Sequence, residues 1–194
     1  RETLSLGDKT LKFYLAPWVH WPDTMFTEVV EDKVLFTTDF LGTHYAAPTL
    51  YQDDLSPDYL EAAKRYYAAT MMPFRSSVQD HLKLVDEIAP KIIGPGHGPV
   101  MKMPAKILDL YRDWSSDAPK NLVIVAYVSM HGSTELMTKF LVDDLVQRGV
   151  PVQQYNLLET DTGVLGSAIV DAATIIVATP TVLFGPHPVA VNAA

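Results

Sequence analysis

There is no cysteine among the 194 residues. That removes disulfides, thiolate zinc sites, iron–sulfur clusters and cysteine nucleophiles together, so any metal must be held by His and carboxylates. Basic clusters are missing too. Fifteen Lys and Arg stand against 23 Asp and Glu, a net charge of −8, and no nucleic-acid or anionic-membrane surface is expected. No apolar run approaches the roughly 20 residues a membrane helix needs, and the N-terminus lacks the n- and h-regions of a signal peptide. The expectation is a soluble, cytoplasmic protein. Neither GxxxxGK(S/T) nor GxGxxG occurs, which excludes a nucleoside-triphosphate loop and a dinucleotide-binding turn. Arg1 replaces an initiator Met, and Val189–Ala194 stops inside what reads as an element, so the chain is expected to be a piece of something longer.

What is present is apolar enough, at 48%, for a packed core. The most informative stretch is 121–140. Leu122–Val128 is a continuous apolar run, which predicts a strand buried on both faces of a parallel sheet. The loop Ser129, Met130, His131, Gly132, Ser133 and Thr134 follows at once. A helix then starts, with Ser133 or Thr134 as N-cap and Glu135 in its first turn. Leu136, Phe140, Leu141 and Leu145 are expected as its buried stripe, and Gly149 as its end. A hydroxyl-rich loop at a helix N-terminus is an anion site. A phosphate held by neutral donors, with no Lys or Arg in the loop, suits flavin mononucleotide (FMN). The alternative is that Ser133 and Thr134 only cap the helix.

Further along, Val152–Leu157 and the apolar Ile175–Val177 predict two more strands, with a short amphipathic helix over Gly163–Asp171 between them. Right-handed crossovers would bring the loops after the first and third strands side by side. The second of those loops contains Pro180, Thr181, Val182, Leu183, Phe184 and Gly185, which would flank the flavin ring; otherwise it is a plain Pro/Gly turn.

Before Pro119 the pattern is mixed. Leu11–Leu15, Met25–Glu31 and Lys33–Thr38 read as strands, the last two joined by a hairpin at 31–33. Helices are predicted over Asp58–Met72 (Ser56 cap, Pro57 first), Ser76–Ile88 and Pro104–Trp114, with a short strand at Ile92–Ile93. The polar segment 115–119 is the expected domain boundary. His20, Asp39 and His97 each fall in a loop just past a strand-like run. Imidazole and carboxylate suit iron, manganese or zinc, and glycines flank His97 where close backbone packing would be needed. Trp18 and Trp21 could exclude water there. The competing readings are an ordinary loop histidine and a turn aspartate. His81 reads as helix surface and His187 as loop.

Six segments, WVHWPDTMF (18–26), LFTTDFLGTHYA (35–46), YYAATMMPF (66–74), IIGPGHGPV (92–100), YVSMHGSTELM (127–137) and ATPTVLFGPHP (178–188), occur in the order found in flavodiiron proteins, the A-type flavoproteins. The chain resembles that family over nearly its whole length. The resemblance implies an α/β protein: the C-terminal part of a metallo-β-lactamase-like αββα domain (1–118), then a partial flavodoxin-like doubly wound parallel sheet (119–194). It implies two non-haem iron ions, with His20 a terminal ligand, Asp39 the bridging carboxylate and His97 the last His ligand, and His44 near the site. It also implies FMN in the second domain. The implied activity is electron transfer from FMN to the diiron centre, which reduces dioxygen to water, nitric oxide to nitrous oxide, or both. The implied electron donor is rubredoxin or an NAD(P)H-flavin reductase module, and the implied assembly a head-to-tail homodimer. The family's H-x-E-x-D-H ligand motif does not occur in these residues, and only three of the five strands of a flavodoxin-like sheet are expected. Two other readings are kept: an FMN-binding electron carrier with a degenerate metal domain, and a zinc hydrolase with an unrelated flavodoxin tail.

Overall fold

The computed structural model describes residues 2–51, 55–118 and 120–194. Pro119, the end of the expected boundary segment, lies outside them. The chain divides into two compact units, Arg1–Ser116 and Asp117–Ala194.

The first unit holds a five-stranded sheet in the order β1 (Thr3–Ser5), β2 (Thr10–Leu15), β3 (Met25–Val29), β4 (Val34–Phe36) and β5 (Ile92–Gly94). Every pairing is antiparallel except β4 with β5, where Leu35 lies opposite Ile93 and Phe36 opposite Gly94. Alternation along the strands sends Tyr14, Phe26, Glu28, Leu35 and Ile93 to one face, where all are buried. Leu15, Met25 and Phe36 go to the other face and are exposed. Glu28 is tolerated on the buried side because the Tyr14 hydroxyl donates to its carboxylate at 2.5 Å.

The buried face is covered by α1 (Pro57–Tyr66), α2 (Arg75–Ile88) and α3 (Ala105–Trp114). Ser56 accepts from the Tyr59 N–H and Pro57 stands in the first turn, as the sequence predicts. The helix expected to run on to Met72 does not stay α. Tyr67–Met71 is a π turn and Met72–Phe74 is 3₁₀. The wider turn lets Tyr66 and Tyr67, adjacent in sequence, both point inward. Ala63, Tyr67 and Met71, which the sequence places on the apolar face, are buried there together with Tyr59 and Tyr66, while Leu60 and Thr70, expected on the same face, are only half-buried. On α2, Val78, Leu82 and Val85 are buried. His81 is not simple surface: its Nε2 lies 2.9 Å from the Pro17 carbonyl oxygen, and its ring meets Phe26 edge-on. Phe26, Phe40, Tyr111, Tyr67 and Trp114 continue the core as a chain of ring contacts 5.2–5.6 Å apart.

The second unit is built on β6 (Val123–Tyr127), buried along its whole length. Parallel partners β7 (Val152–Asn156) and β8 (Thr174–Ala178) flank it, giving the order β7-β6-β8. α4 (Ser133–Gln147) packs on one face, where Gln154 donates to Thr138 Oγ1. α5 (Thr162–Ile169), capped by Asp161, places Leu165 on Ile124 and Ala126 of the other face. Helices on both faces of parallel strands make this a doubly wound arrangement. β9 (Thr181–Val182) and β10 (Gly185–Pro186) form a small hairpin, and α6 (Pro188–Ala193) follows. His187 is not a plain loop residue: its ring Nδ1 accepts from the Val189 N–H and caps α6.

Two packing expectations fail. On α4, Leu136 and Phe140 are 70% and 78% exposed. The helix turns Thr138, Leu141, Val142 and Leu145 toward the sheet, a second stripe at i, i+3, i+4, i+7 that overlaps the expected one. In β8, at the edge of the described sheet, Ile175 and Val177 are 47% and 42% exposed, although the all-apolar run reads as a core strand. Among the described residues, no helix is long and apolar enough to cross a membrane.

Burial pushes the phenols of Tyr59 and Tyr67 up to about 12 and raises those of Tyr66 and Tyr111 as well. The folded chain therefore binds more protons than the unfolded chain between pH 10 and 12. Stability should be full below pH 10 and fall as the pH climbs through that window, a drop that urea midpoints at about pH 9 and about pH 11 will measure. Tyr111 Oη is buried without a hydrogen-bond partner among the described residues. Tyr111→Phe should then leave the fold unchanged or more stable by about 1 kcal/mol in urea unfolding.

Candidate functional sites

In the first unit, sheet direction decides which loops meet. Because β4 and β5 are parallel, the chain leaves both at the same edge, carrying Asp39 and His97 with it. Because β3 is antiparallel to β4, the β2–β3 connection holding His20 lies at that edge too. Asp39 ends up between the two imidazoles. His20 Nε2 is 3.4 Å from its Oδ2, and His97 Nε2 is 3.2 Å from its Oδ1. The carboxylate is about one quarter exposed and His97 about half.

Each ring faces a different carboxylate oxygen, and among the described residues no three His, Asp or Glu side chains surround one common metal position. One carboxylate thus lies within reach of both imidazoles, one ring at each oxygen. Oxygen and nitrogen donors without sulfur are a set that fits iron.

The loop around Asp39 is held tightly. Thr37 N–H donates to the Gly94 carbonyl, Thr37 Oγ1 to that of Phe40, and Gly42 N–H to that of Asp39. Thr38 and Leu41 adopt positive φ, 51° and 65°, a cost of about 1–3 kcal/mol each that persists only where the surroundings enforce it. Tyr66, which sequence reasoning quoted without giving it a role, forms one wall. Its ring meets those of His44 and His97 at 4.9 and 6.0 Å. Burial first, and the Asp39 carboxylate second, keep its phenol protonated. Tyr66 continues the i, i+4, i+7 buried stripe of Tyr59 and Ala63 at the last turn of α1, a spacing that marks it as core and says nothing of the neighbouring imidazoles. Trp21, 61% exposed, tilts against His20 at 5.5 Å and lines one cavity with Asp39, while Trp18 stacks on Phe74.

In the second unit, β6 and β8 are adjacent and parallel, so their following loops lie side by side. They line a cavity of about 340 Å³ whose walls include Met130, His131, Ser133, Thr134, Pro180, Thr181, Val182 and Leu183. That is within the size range of small-molecule pockets. Neither Ser133 nor Thr134 is the cap of α4. Gly132 holds the N-cap position at φ 83°, and Ser129 Oγ accepts from the N–H groups of Gly132 and Glu135 at 3.1 and 3.3 Å. The Ser133 hydroxyl is thereby left without a partner among the described residues, beside a helix N-terminus. Phe184 and Leu183 stand at the hairpin tip, fully and nine-tenths exposed.

Known proteins fit this picture. The sequence profile of the ODP family beta lactamases matches residues 1–98. A nitric oxide reductase of Moorella thermoacetica is 35% identical over 184 residues, 93% of this chain and 46% of that protein. Among solved structures, rubredoxin oxygen:oxidoreductase of Desulfovibrio gigas superposes with a TM-score of 0.92 at 29% identity, over 99% of this chain and 49% of its own. The flavodiiron protein of Giardia intestinalis gives 0.90 at 28%, over 99% and 48%. The chain spans about half the length of the relatives it matches.

Ser129→Ala removes one acceptor from two N–H groups and should cost about 1 kcal/mol in urea unfolding. Ser133→Ala, which removes no cap, should change stability by about half a kcal/mol or less. Equal losses in the two variants would contradict the capping assignment.

Proposed function

This chain belongs to the flavodiiron protein family, and on that footing we propose that it supplies the bridging carboxylate, two of the imidazole ligands and the flavin-phosphate loop of an oxidoreductase that reduces dioxygen, nitric oxide or both. The observation that carries the reading is the position of Asp39, with one imidazole at each carboxylate oxygen. One anion between two cations offsets charge on both and sets their spacing. When bound, iron and FMN supply the redox chemistry, and the protein supplies position and electrostatics.

The residues divide that work. Asp39, His20 and His97 would hold two non-haem irons. Tyr66 keeps its proton at Oη beside Asp39 and fills the space next to His44 and His97. Ser129 to Thr134 would hold the FMN phosphate through N–H and hydroxyl groups. Pro180 to Gly185 would lie along the flavin ring, with Leu183 or Phe184 against an apolar face. Electrons would come from rubredoxin or an NAD(P)H-flavin reductase module, and two copies would pair head to tail.

A second reading is an FMN-binding electron carrier whose metal domain is degenerate. The full-length protein distinguishes the two. Purified with about two irons and one flavin per subunit, it is the oxidoreductase; with flavin and no iron, it is the carrier. In the first case Asp39→Ala should abolish reduction of dioxygen and nitric oxide while the flavin spectrum stays unchanged. Turnover retained in that variant would count against the shared-carboxylate role.

A further inference from the structure

Gly42 occupies the seam between the pieces of the first site. A Cβ added there would meet the Asp39 carbonyl oxygen at 3.0 Å, the His97 carbonyl oxygen at 3.3 Å and Tyr66 Cε1 at 3.4 Å. Its N–H donates to the Asp39 carbonyl at 3.1 Å, and the next N–H, that of Thr43, donates to the His97 carbonyl at 3.1 Å. A second strap runs from the Gly96 N–H to the Thr38 carbonyl at 2.5 Å. A Cβ on Gly96 would meet that same oxygen at 3.1 Å. Gly98, at φ 85°, would bring a Cβ within 2.6 Å of Thr43 Cγ2 and 2.8 Å of the Thr43 carbonyl oxygen. The loop of Asp39 and the loop of His97 are thus laced together by backbone hydrogen bonds, over clearance that three glycines provide.

The atoms nearest Gly42 are mostly backbone oxygens, which cannot swing aside as a long side chain would. Relief has to come from moving one loop against the other by a few tenths of an ångström, comparable to the tolerance of about 0.5 Å within which a functional constellation must be held. None of those nearest atoms belongs to the loop of His20. The disturbance therefore falls first on the seam between the Asp39 and His97 loops.

We propose that Gly42 is a positioning residue that sets the 3.2 Å approach of His97 Nε2 to Asp39 Oδ1 more than the 3.4 Å approach of His20 Nε2 to Asp39 Oδ2, and so governs metal retention chiefly on the His97 side. The proposal rests on the diiron reading above and adds a residue that carries no ligand atom. Displacing a group that orients a ligand costs about 10- to 100-fold in metal affinity, enough to empty one position of a pair while the other stays filled.

The experiment uses the full-length protein reconstituted with ferrous iron, as wild type, Gly42→Ala, His97→Ala and Asp39→Ala. Iron and flavin per subunit, circular dichroism and Mössbauer spectra are recorded. Gly42→Ala should keep its flavin and its melting profile, lose about half its iron, and show the uncoupled iron signal of His97→Ala. Wild-type iron with a coupled signal would overturn the proposal. So would loss of all iron, as in Asp39→Ala, because the glycine would then serve the whole site. If Gly42→Ala does not fold, Gly96→Ala tests the other strap with the same expected loss of iron and the same overturning results. Wild-type protein that takes up no iron would defeat the diiron reading instead. The positioning role is then read from a crystal structure of Gly42→Ala: a widened Asp39–His97 separation supports it, and an unchanged one ends it.

Discussion

Among the described residues, the parallel pairing of β4 with β5 is the one break in an otherwise antiparallel first sheet, and the placement of the Asp39 and His97 loops follows from it. In a fully antiparallel sheet, the chain would leave β5 at the opposite edge and carry His97 away from Asp39. The parallel pair needs a long crossover, and the chain fills it with α1, the π turn and α2. Those same helices bury the sheet's inner face and deliver Tyr66 to the site. Core and site share their parts: Phe26 and Phe40 pack into the aromatic cluster while the residues that precede Phe40 carry the carboxylate. The rigidity of the site loop, positive φ values included, rests on that packed floor.

Much of this was legible from residue order. An apolar triplet followed by a polar loop located Asp39 at a strand end, and the glycines around His97 announced close backbone approach. The all-apolar run of β6 read correctly as a strand with both faces covered. What residue order lacks is strand direction, so the convergence of three loops from three connections is a property of the sheet. The cap of α4 escaped for a different reason. Capping rules look for a hydroxyl beside the first helical residue, but Gly132 in the left-handed region inserts a turn, and the accepting oxygen comes from Ser129. The misjudged stripe of α4 has a plain cause as well, since the expected stripe of Leu136, Phe140, Leu141 and Leu145 overlaps the observed one of Thr138, Leu141, Val142 and Leu145, and spacing alone does not choose between them.

The two units carry their polar chemistry differently. In the first, charged and aromatic groups crowd a sheet edge, and the nearest phenol is kept neutral by burial and by the neighbouring carboxylate. In the second, the polar side chains of the cavity wall are the hydroxyls of Ser133, Thr134 and Thr181 and one histidine, His131, set among the apolar Met130, Pro180, Val182 and Leu183. A ligand's negative charge there would meet the positive end of α4 rather than a lysine or arginine, which favours a group held by many weak donors over one held by a single strong pair.

The π turn at Tyr67–Met71 has a genetic corollary. A π turn holds about one residue more than an α turn, so removing a single codon from those five would restore regular α geometry and re-aim the residues inside the segment, while the segments on either side keep nearly the same orientation. Tyr66 and Tyr67 could no longer both face inward, and either the wall beside His97 or the contact with Tyr111 would be lost, although neither tyrosine had been replaced. Conservative replacements in this segment should be far better tolerated than a change in its length, because the number of residues there is itself part of the site's architecture.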